Sequence, residues 1–123
     1  MKKILIIEDE TIISFGYRLQ LERMGFDVVG TARSSEEAEQ LLKEVRPDLI
    51  IMDIYLKGEK TGLELAQEIH AEDPIPILFL TASTKPEIVA AIRALEGCQY
   101  LSKPINSDSL EDVLQRFARS KEH

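Results

Sequence analysis

The 123-residue sequence has one cysteine, no tryptophan and too few basic residues to balance its acids: 15 Lys and Arg stand against 22 Asp and Glu, a formal net charge of −7. Each shortage excludes something. Cys98 alone cannot form an internal disulfide, and small secreted domains usually carry several. A deficit of Lys and Arg argues against a direct nucleic-acid face, which must neutralise phosphates, and against docking on an anionic membrane. No apolar run approaches the length of a bilayer span. The opening MKKILIIEDE has too short an apolar stretch, and no small-residue cleavage site, for a secretory signal. These exclusions leave a reduced, cytoplasmic protein. Its 44% apolar and 30% charged content is that of a globular chain, and its length suits one domain over residues 1–123.

Five short apolar runs are present: Ile4–Ile7, Asp27–Val29, Leu49–Met52, Ile77–Leu80 and Gln99–Leu101. The first, third and fourth lack polar alternation, the pattern of strands covered on both faces in a parallel sheet. Helical spacing separates them, at Ala38/Leu41/Leu42/Val45, Gly62/Leu65/Ala66/Ile69, Ile88/Ala91/Ile92/Leu95 and Leu110/Val113/Leu114/Phe117. The segment from Thr11 to Met24 carries a broader stripe (Ile12, Phe15, Leu19 and neighbours), which predicts a helix buried around more of its surface. Ser34/Glu37, Thr84/Glu87 and Asp108/Glu111 have capping-box spacing. Pro86 suits a first helical turn, and Gly25 and Gly97 suit C-terminal stops. Five strand–helix units of roughly 25 residues predict a doubly wound α/β fold, with helices on both faces of a parallel sheet.

Right-handed crossovers put the C-terminal ends of all such strands on one edge, where ligands bind. The residues there are Glu8-Asp9-Glu10, Asp53, Thr81-Ala82 and Ser102-Lys103-Pro104. Crowded carboxylates call for a hard divalent cation such as Mg²⁺, which takes oxygen ligands and keeps exchangeable waters. A lysine and a hydroxyl opposite them complete a cradle for phosphoryl oxygens, and a remaining carboxylate can serve as nucleophile. Asp53, ending the central strand, is the best candidate.

With these residues in place the sequence resembles the receiver domain of two-component response regulators, from Lys2 to about Arg119. The resemblance rests on Glu8-Asp9, Asp53, Thr81-Ala82, Tyr100 and Lys103-Pro104, in order, on or at the ends of the first, third, fourth and fifth runs. It implies a flavodoxin-like strand order 2-1-3-4-5 and a signalling switch without free-substrate turnover, which catalyses its own phosphorylation and dephosphorylation. It implies that Asp53 accepts a phosphoryl group from a phosphohistidine. Asp9, Asp53 and the Tyr55 backbone carbonyl would ligate Mg²⁺ (or Mn²⁺), with Glu8 acting through a bound water. Lys103 would contact the phosphoryl group, Thr81 would close onto it, Tyr100 would rotate inward, and the Lys103–Pro104 peptide would be cis. Expected partners are a sensor histidine kinase or phosphotransfer protein and a downstream effector or output domain, with a phosphorylation-dependent dimer as a further expectation.

Three departures from the commonest pattern matter. The acidic pair is Glu-Asp, whose longer side chain should still reach the water shell of the cation. Tyr55 and Ser83 occupy variable positions that tune hydrolysis, and Tyr55 is expected to shield the acyl phosphate from water. Cys98-Gln99 stands where receivers with winged-helix outputs usually carry acids before the tyrosine. Against a phosphohydrolase resembling haloacid dehalogenases, position 55 lacks the second acid and the chain lacks a cap segment. Against a nucleotide or flavin module, the first turn is acidic instead of glycine-rich. A receiver-like adaptor that is never phosphorylated would not need the intact set of site residues.

Other residues have plainer readings. Gly58–Gly62 fails the GxxxxGK[ST] pattern and reads as a flexible loop. His70 reads as solvated, Cys98 as a small core or loop residue, and Glu36, Glu37, Glu39, Glu44, Glu64, Glu68 and Glu72 as solvated helix faces.

Overall fold

The computed structural model describes residues 2–56, 58–82, 85–103 and 105–120. The element order is β1 (Lys3–Ile7), α1 (Thr11–Arg23), β2 (Asp27–Ala32), α2 (Ser35–Glu44), β3 (Leu49–Asp53), α3 (Gly62–Glu72), β4 (Ile77–Thr81), α4 (Pro86–Arg93), β5 (Cys98–Ser102) and α5 (Ser107–Ser120). The strands form one parallel sheet in the order β2-β1-β3-β4-β5, as expected. Alternation along the inner strands divides the core. Leu5, Ile7, Ile50, Met52, Ile77 and Phe79 face α2, α3 and α4 through Ala38, Leu65, Ala66 and Ile92. Ile4, Ile6, Leu49, Ile51, Leu78 and Leu80 face the other way, toward Leu21 of α1 and Leu110 and Leu114 of α5. β3 and β4 are buried throughout, and β1 is buried beyond Lys3, which accounts for their unbroken apolar runs.

The helix starts refine the sequence reading. Ser34 caps α2 by accepting the Glu37 N–H at 3.2 Å. The α3 start, at which no cap was anticipated, has a full capping box: Thr61 Oγ1 accepts the Glu64 N–H and Glu64 Oε1 accepts the Thr61 N–H. Pro86 opens α4 after Lys85, and Thr84 lies outside the described residues. At α5 the helix begins one residue before Asp108, and Asn106 Oδ1 accepts the Asp108 N–H at 2.8 Å. Gly25, at φ +93°, follows the C-cap of α1, whereas α4 ends at Arg93 with its cap at Ala94, so Gly97, at φ +81°, turns the chain into β5 and is not the helix stop expected of it.

The expectation for α1 is overturned as well. α1 is not buried around most of its surface: Ile12, Phe15 and Leu19 are 87%, 57% and 46% exposed, while Ser14 and Leu21 are buried. The cause is geometric. The inward stripe is Ser14, Tyr17 and Leu21, and the same spacing starting two residues earlier gives Ile12, Phe15 and Leu19. At about 100° per residue these stripes lie on opposite faces of the helix, and only one can rest on the sheet.

Candidate functional site

The carboxyl edge of the sheet gathers the acids. Hydrogen bonding of Glu8 N–H to Ala32 O at 2.9 Å extends the sheet ladder past Ile7 and holds the start of the β1–α1 turn. Glu8, Asp9 and Asp53 each offer an oxygen within 4.8 Å of the others. Both carboxylate oxygens of Asp53 are engaged: Oδ2 accepts from Lys103 Nζ at 2.9 Å, and Oδ1 accepts the Tyr55 N–H at 3.1 Å. The same ammonium lies 3.8 Å from Glu8 Oε2. Lys103 is placed by its own backbone, whose N–H donates to Thr81 O at 2.8 Å, so β4 and β5 set its position jointly.

Electrostatics mark Glu8 as the strained member. It is 3% exposed, and its Oε2 has no hydrogen-bond partner. Burial, followed by the charge of Asp53, raises its pKa to about 7, against the pull of Lys103. Burial alone would lower the Lys103 ammonium, but the hydrogen bond and charge of Asp53, with the charge of Glu8, outweigh it and hold Lys103 above its ordinary value. Three acids cluster around one lysine here, and one buried carboxylate oxygen has no hydrogen-bond partner. A hard divalent cation fits this donor set, because it supplies the missing positive charge and takes oxygen ligands.

Thr81 is fully buried at the end of β4, and Tyr100 is half-buried against the Phe79–Ile92 side of the core. Tyr55 is 52% exposed, with its N–H on Asp53. Ser83 and Pro104 lie outside the described residues, and with them the Ser83 position and the Lys103–Pro104 bond. Gly62 is functional in a way its helical spacing hid. Its N–H donates to Ile54 O at 2.7 Å, and a Cβ there would collide with the Asp53 carbonyl. Only glycine lets α3 start against the end of β3.

With this geometry in view, comparison with known proteins decides the family. The sequence model of the response regulator receiver domain matches residues 4–115. The chain belongs to the response regulator receiver family. It is 33% identical over 114 residues to the transcriptional regulatory protein PdtaR of Mycobacterium tuberculosis, covering 93% of this chain and 55% of that protein. It is 34% identical over 122 residues to the transcriptional regulatory protein AfsQ1 of Streptomyces coelicolor, covering 99% and 53%. The crystal structure of a two-component response regulator from Clostridium difficile superposes with a TM-score of 0.92 at 25% identity, covering all of both chains. The chain thus spans about half the length of these curated relatives. As a receiver domain it is a signalling switch and not an enzyme of free substrates, and receivers bind Mg²⁺ at their acidic pocket. Among the described residues no helix is long and apolar enough to cross a membrane.

The receiver site also includes residues that sequence reasoning missed. Tyr17 of α1 packs against the core between the sheet, α1 and α5, and its phenol feels the charges of Lys103, Glu8 and Asp53. Burial and the two acids raise its pKa against the pull of Lys103. Nothing in the spacing of α1 marked the stripe of Ser14, Tyr17 and Leu21 as the inward one. At the opposite end of the sheet, His70 is not simply solvated. Its Nε2 lies 2.8 Å from Ile75 O and 3.6 Å from Cys98 Sγ. Burial pushes the Cys98 thiol up to about 11, so it stays protonated and is a poor nucleophile.

Proposed function

We propose that this receiver accepts a phosphoryl group on Asp53 from a phosphohistidine of a sensor histidine kinase or phosphotransfer protein. The observation that carries the reading is Asp53 itself, at the end of the buried central strand, with one oxygen on Lys103 and the other on a backbone N–H. An Asp53 oxygen attacks phosphorus, the P–N bond to the donor imidazole breaks, and the imidazole leaves with the bond pair and takes up a proton. Asp9, Asp53 and the Tyr55 carbonyl would hold Mg²⁺ (or Mn²⁺) directly, with Glu8 reaching it through water. When bound, the cation supplies charge neutralisation at the transferring oxygens. Lys103 binds one phosphoryl oxygen, and Thr81 closes onto another as Tyr100 turns inward.

This movement alters the α4–β5–α5 surface, which a downstream effector, an output domain or a second phosphorylated copy would read. From Thr84 to His123 the sequence carries six acids and six bases, a locally neutral stretch suited to packing. A protein donor, as against a small molecule, is supported by the exposed stripe of Ile12, Phe15 and Leu19, which begins directly after the acidic turn.

Incubation with acetyl phosphate and Mg²⁺, followed by intact mass measurement, should give one phosphate-sized gain in the wild type and none in Asp53→Asn. No gain in the wild type, or the same gain in the variant, would overturn the reading.

Tyr55, exposed beside Asp53, shields the aspartyl phosphate from water. Tyr55→Ala should shorten the lifetime of the phosphorylated protein by roughly three- to tenfold, about the effect of losing one water-excluding contact. An unchanged decay rate would remove the shield.

A further inference from the structure

The segment between β3 and α3, residues 54–61, contains the Tyr55 N–H, which donates to Asp53 Oδ1 at 3.1 Å, and its two ends are pinned together by Gly62 N–H on Ile54 O at 2.7 Å. Its distal half is held by a different element. Glu36, in the first turn of α2, accepts the Glu59 N–H on Oε1 at 2.8 Å, and the Ser35 hydroxyl donates to the same oxygen at 3.1 Å. Gly58 passes so close that a Cβ would stand 2.6 Å from Glu36 Oε2 and 3.0 Å from Ser35 Oγ, with φ at +113°. Two residues further on, Lys60 Nζ bridges Glu39 Oε1 of α2 at 2.8 Å and Glu68 Oε2 of α3 at 2.6 Å. Glu36 and Glu39 are three apart, so they share a face of α2.

These contacts do not resemble solvated acids beside a free loop. The Glu59 N–H, followed by the backbone N–H of Glu36 itself, holds the Glu36 carboxyl below its ordinary range. The bond is therefore charge-assisted at neutral pH. A glycine in the left-handed region under a carboxylate, and a lysine shared between two helices, are the second and third parts of the same grip.

We propose that Glu36, with Gly58 and Lys60, is a latch on α2 that positions the phosphoacceptor loop, although none of the three belongs to the acidic pocket. The inference rests on the Asp53 reading and assigns these residues a positioning role within it. With Ile54, Gly58, Glu59 and Lys60 each held, these parts of the loop are ordered on folding. Cation binding and phosphoryl acceptance then need not order them. Without the latch that ordering falls on the binding step, and the Tyr55 carbonyl is presented less often in a usable place.

The test compares Glu36→Ala, Glu36→Gln and Gly58→Ala with Glu44→Ala, an exposed α2 substitution as control. In metal-free protein, amide hydrogen exchange over residues 54–61 should be faster in Glu36→Ala and Gly58→Ala, unchanged in Glu44→Ala and intermediate in Glu36→Gln, whose amide oxygen can still accept the Glu59 N–H. In the acetyl phosphate reaction, the Mg²⁺ concentration for half-maximal rate should rise roughly three- to tenfold in Glu36→Ala, with Glu36→Gln between it and the wild type. Exchange equal to that of Glu44→Ala would overturn the latch. Faster exchange with unchanged Mg²⁺ dependence would overturn its positioning role. A wild type that takes up no phosphoryl group would instead overturn the Asp53 reading, while the exchange measurement still decides whether the latch exists.

Discussion

Lys103→Ala is expected to lower the stability of the metal-free protein by about 2 kcal/mol and to slow acetyl phosphate-dependent phosphorylation by tenfold or more. The first effect follows from what the ammonium faces. It sits 2.9 Å from Asp53 Oδ2 and 3.8 Å from Glu8 Oε2, and both acids are buried. Breaking a fully buried ion pair costs about 3–5 kcal/mol, because the surviving charge is left uncompensated. Lys103 is 24% exposed, so water can repay part of that cost. Uptake of a proton by the carboxylates would repay a further part. The urea midpoint should fall by roughly 1 M, and Mg²⁺ should restore most of the loss by supplying the missing charge.

The second effect has a different origin, since a fixed cation at the transferring oxygens stabilises charge that develops only in the transition state. Lys103→Arg separates the two. It keeps the charge, and therefore most of the stability, but its planar fork cannot occupy the position of the ammonium, so transfer should remain slow. A urea midpoint for Lys103→Ala equal to that of the wild type would show that the crowding of acids is not felt.

Most parts of this site that were legible in the sequence share one property: Glu8, Asp9, Asp53 and Thr81 end or follow strands buried on both faces, whereas Lys103 follows the less buried β5. Ile4–Ile7, Leu49–Met52 and Ile77–Leu80 are unbroken apolar runs because helices cover both sides of the sheet. The first polar residues after them had to fall on the carboxyl edge. Glu8, Asp9, Asp53 and Lys103 converge there as read, and Thr81 ends β4 beside them.

What was not legible depends on contacts that leave no periodic trace. α1 carries apolar residues on two opposite faces, and nothing in the spacing says which one meets the sheet; the inward face contains Ser14 and Tyr17, the outward one Ile12 and Phe15. The stretch from Gly58 to Gly62 has the composition of a free loop. It is held by a carboxylate 23 residues earlier through a backbone N–H, which any residue but proline could supply. The approach of His70 to Cys98 spans 28 residues. Side chain–backbone and helix–loop contacts of this kind become visible only once the fold has placed the partners.

Glu8→Gln should have the opposite sign to Lys103→Ala on stability and the same sign on function. Glu8 is buried with no hydrogen-bond partner on Oε2, and its pKa of about 7 lies well above the ordinary 4.5. A carboxyl whose folded-state pKa is raised favours the native state fully only below its unfolded pKa, and the stability it confers is lost as pH rises through the folded value. The wild type therefore loses stability between about pH 4.5 and 7 in a way that a neutral amide does not. In metal-free protein, Glu8→Gln should be more stable by about 1 to 2 kcal/mol at pH 7 and above, after allowing for the lost attraction to Lys103. The advantage should disappear near pH 4. With Mg²⁺ the order should reverse, because the amide removes one negative charge from the cation's surroundings. Half-maximal phosphorylation by acetyl phosphate should then need roughly tenfold more Mg²⁺, the equivalent of about 1.4 kcal/mol. Thermal unfolding in chelator across pH 4 to 8, set beside the Mg²⁺ dependence of phosphorylation, measures both halves. A variant less stable than the wild type at pH 7 in chelator would mean that Lys103 and the Glu10 N–H outweigh the cost of burying Glu8. Unchanged Mg²⁺ dependence would mean that Asp9 and Asp53 hold the cation without it. The buried Glu8 carboxylate is on this argument destabilising in the metal-free protein, and the same negative charge is what the proposed cation site would use.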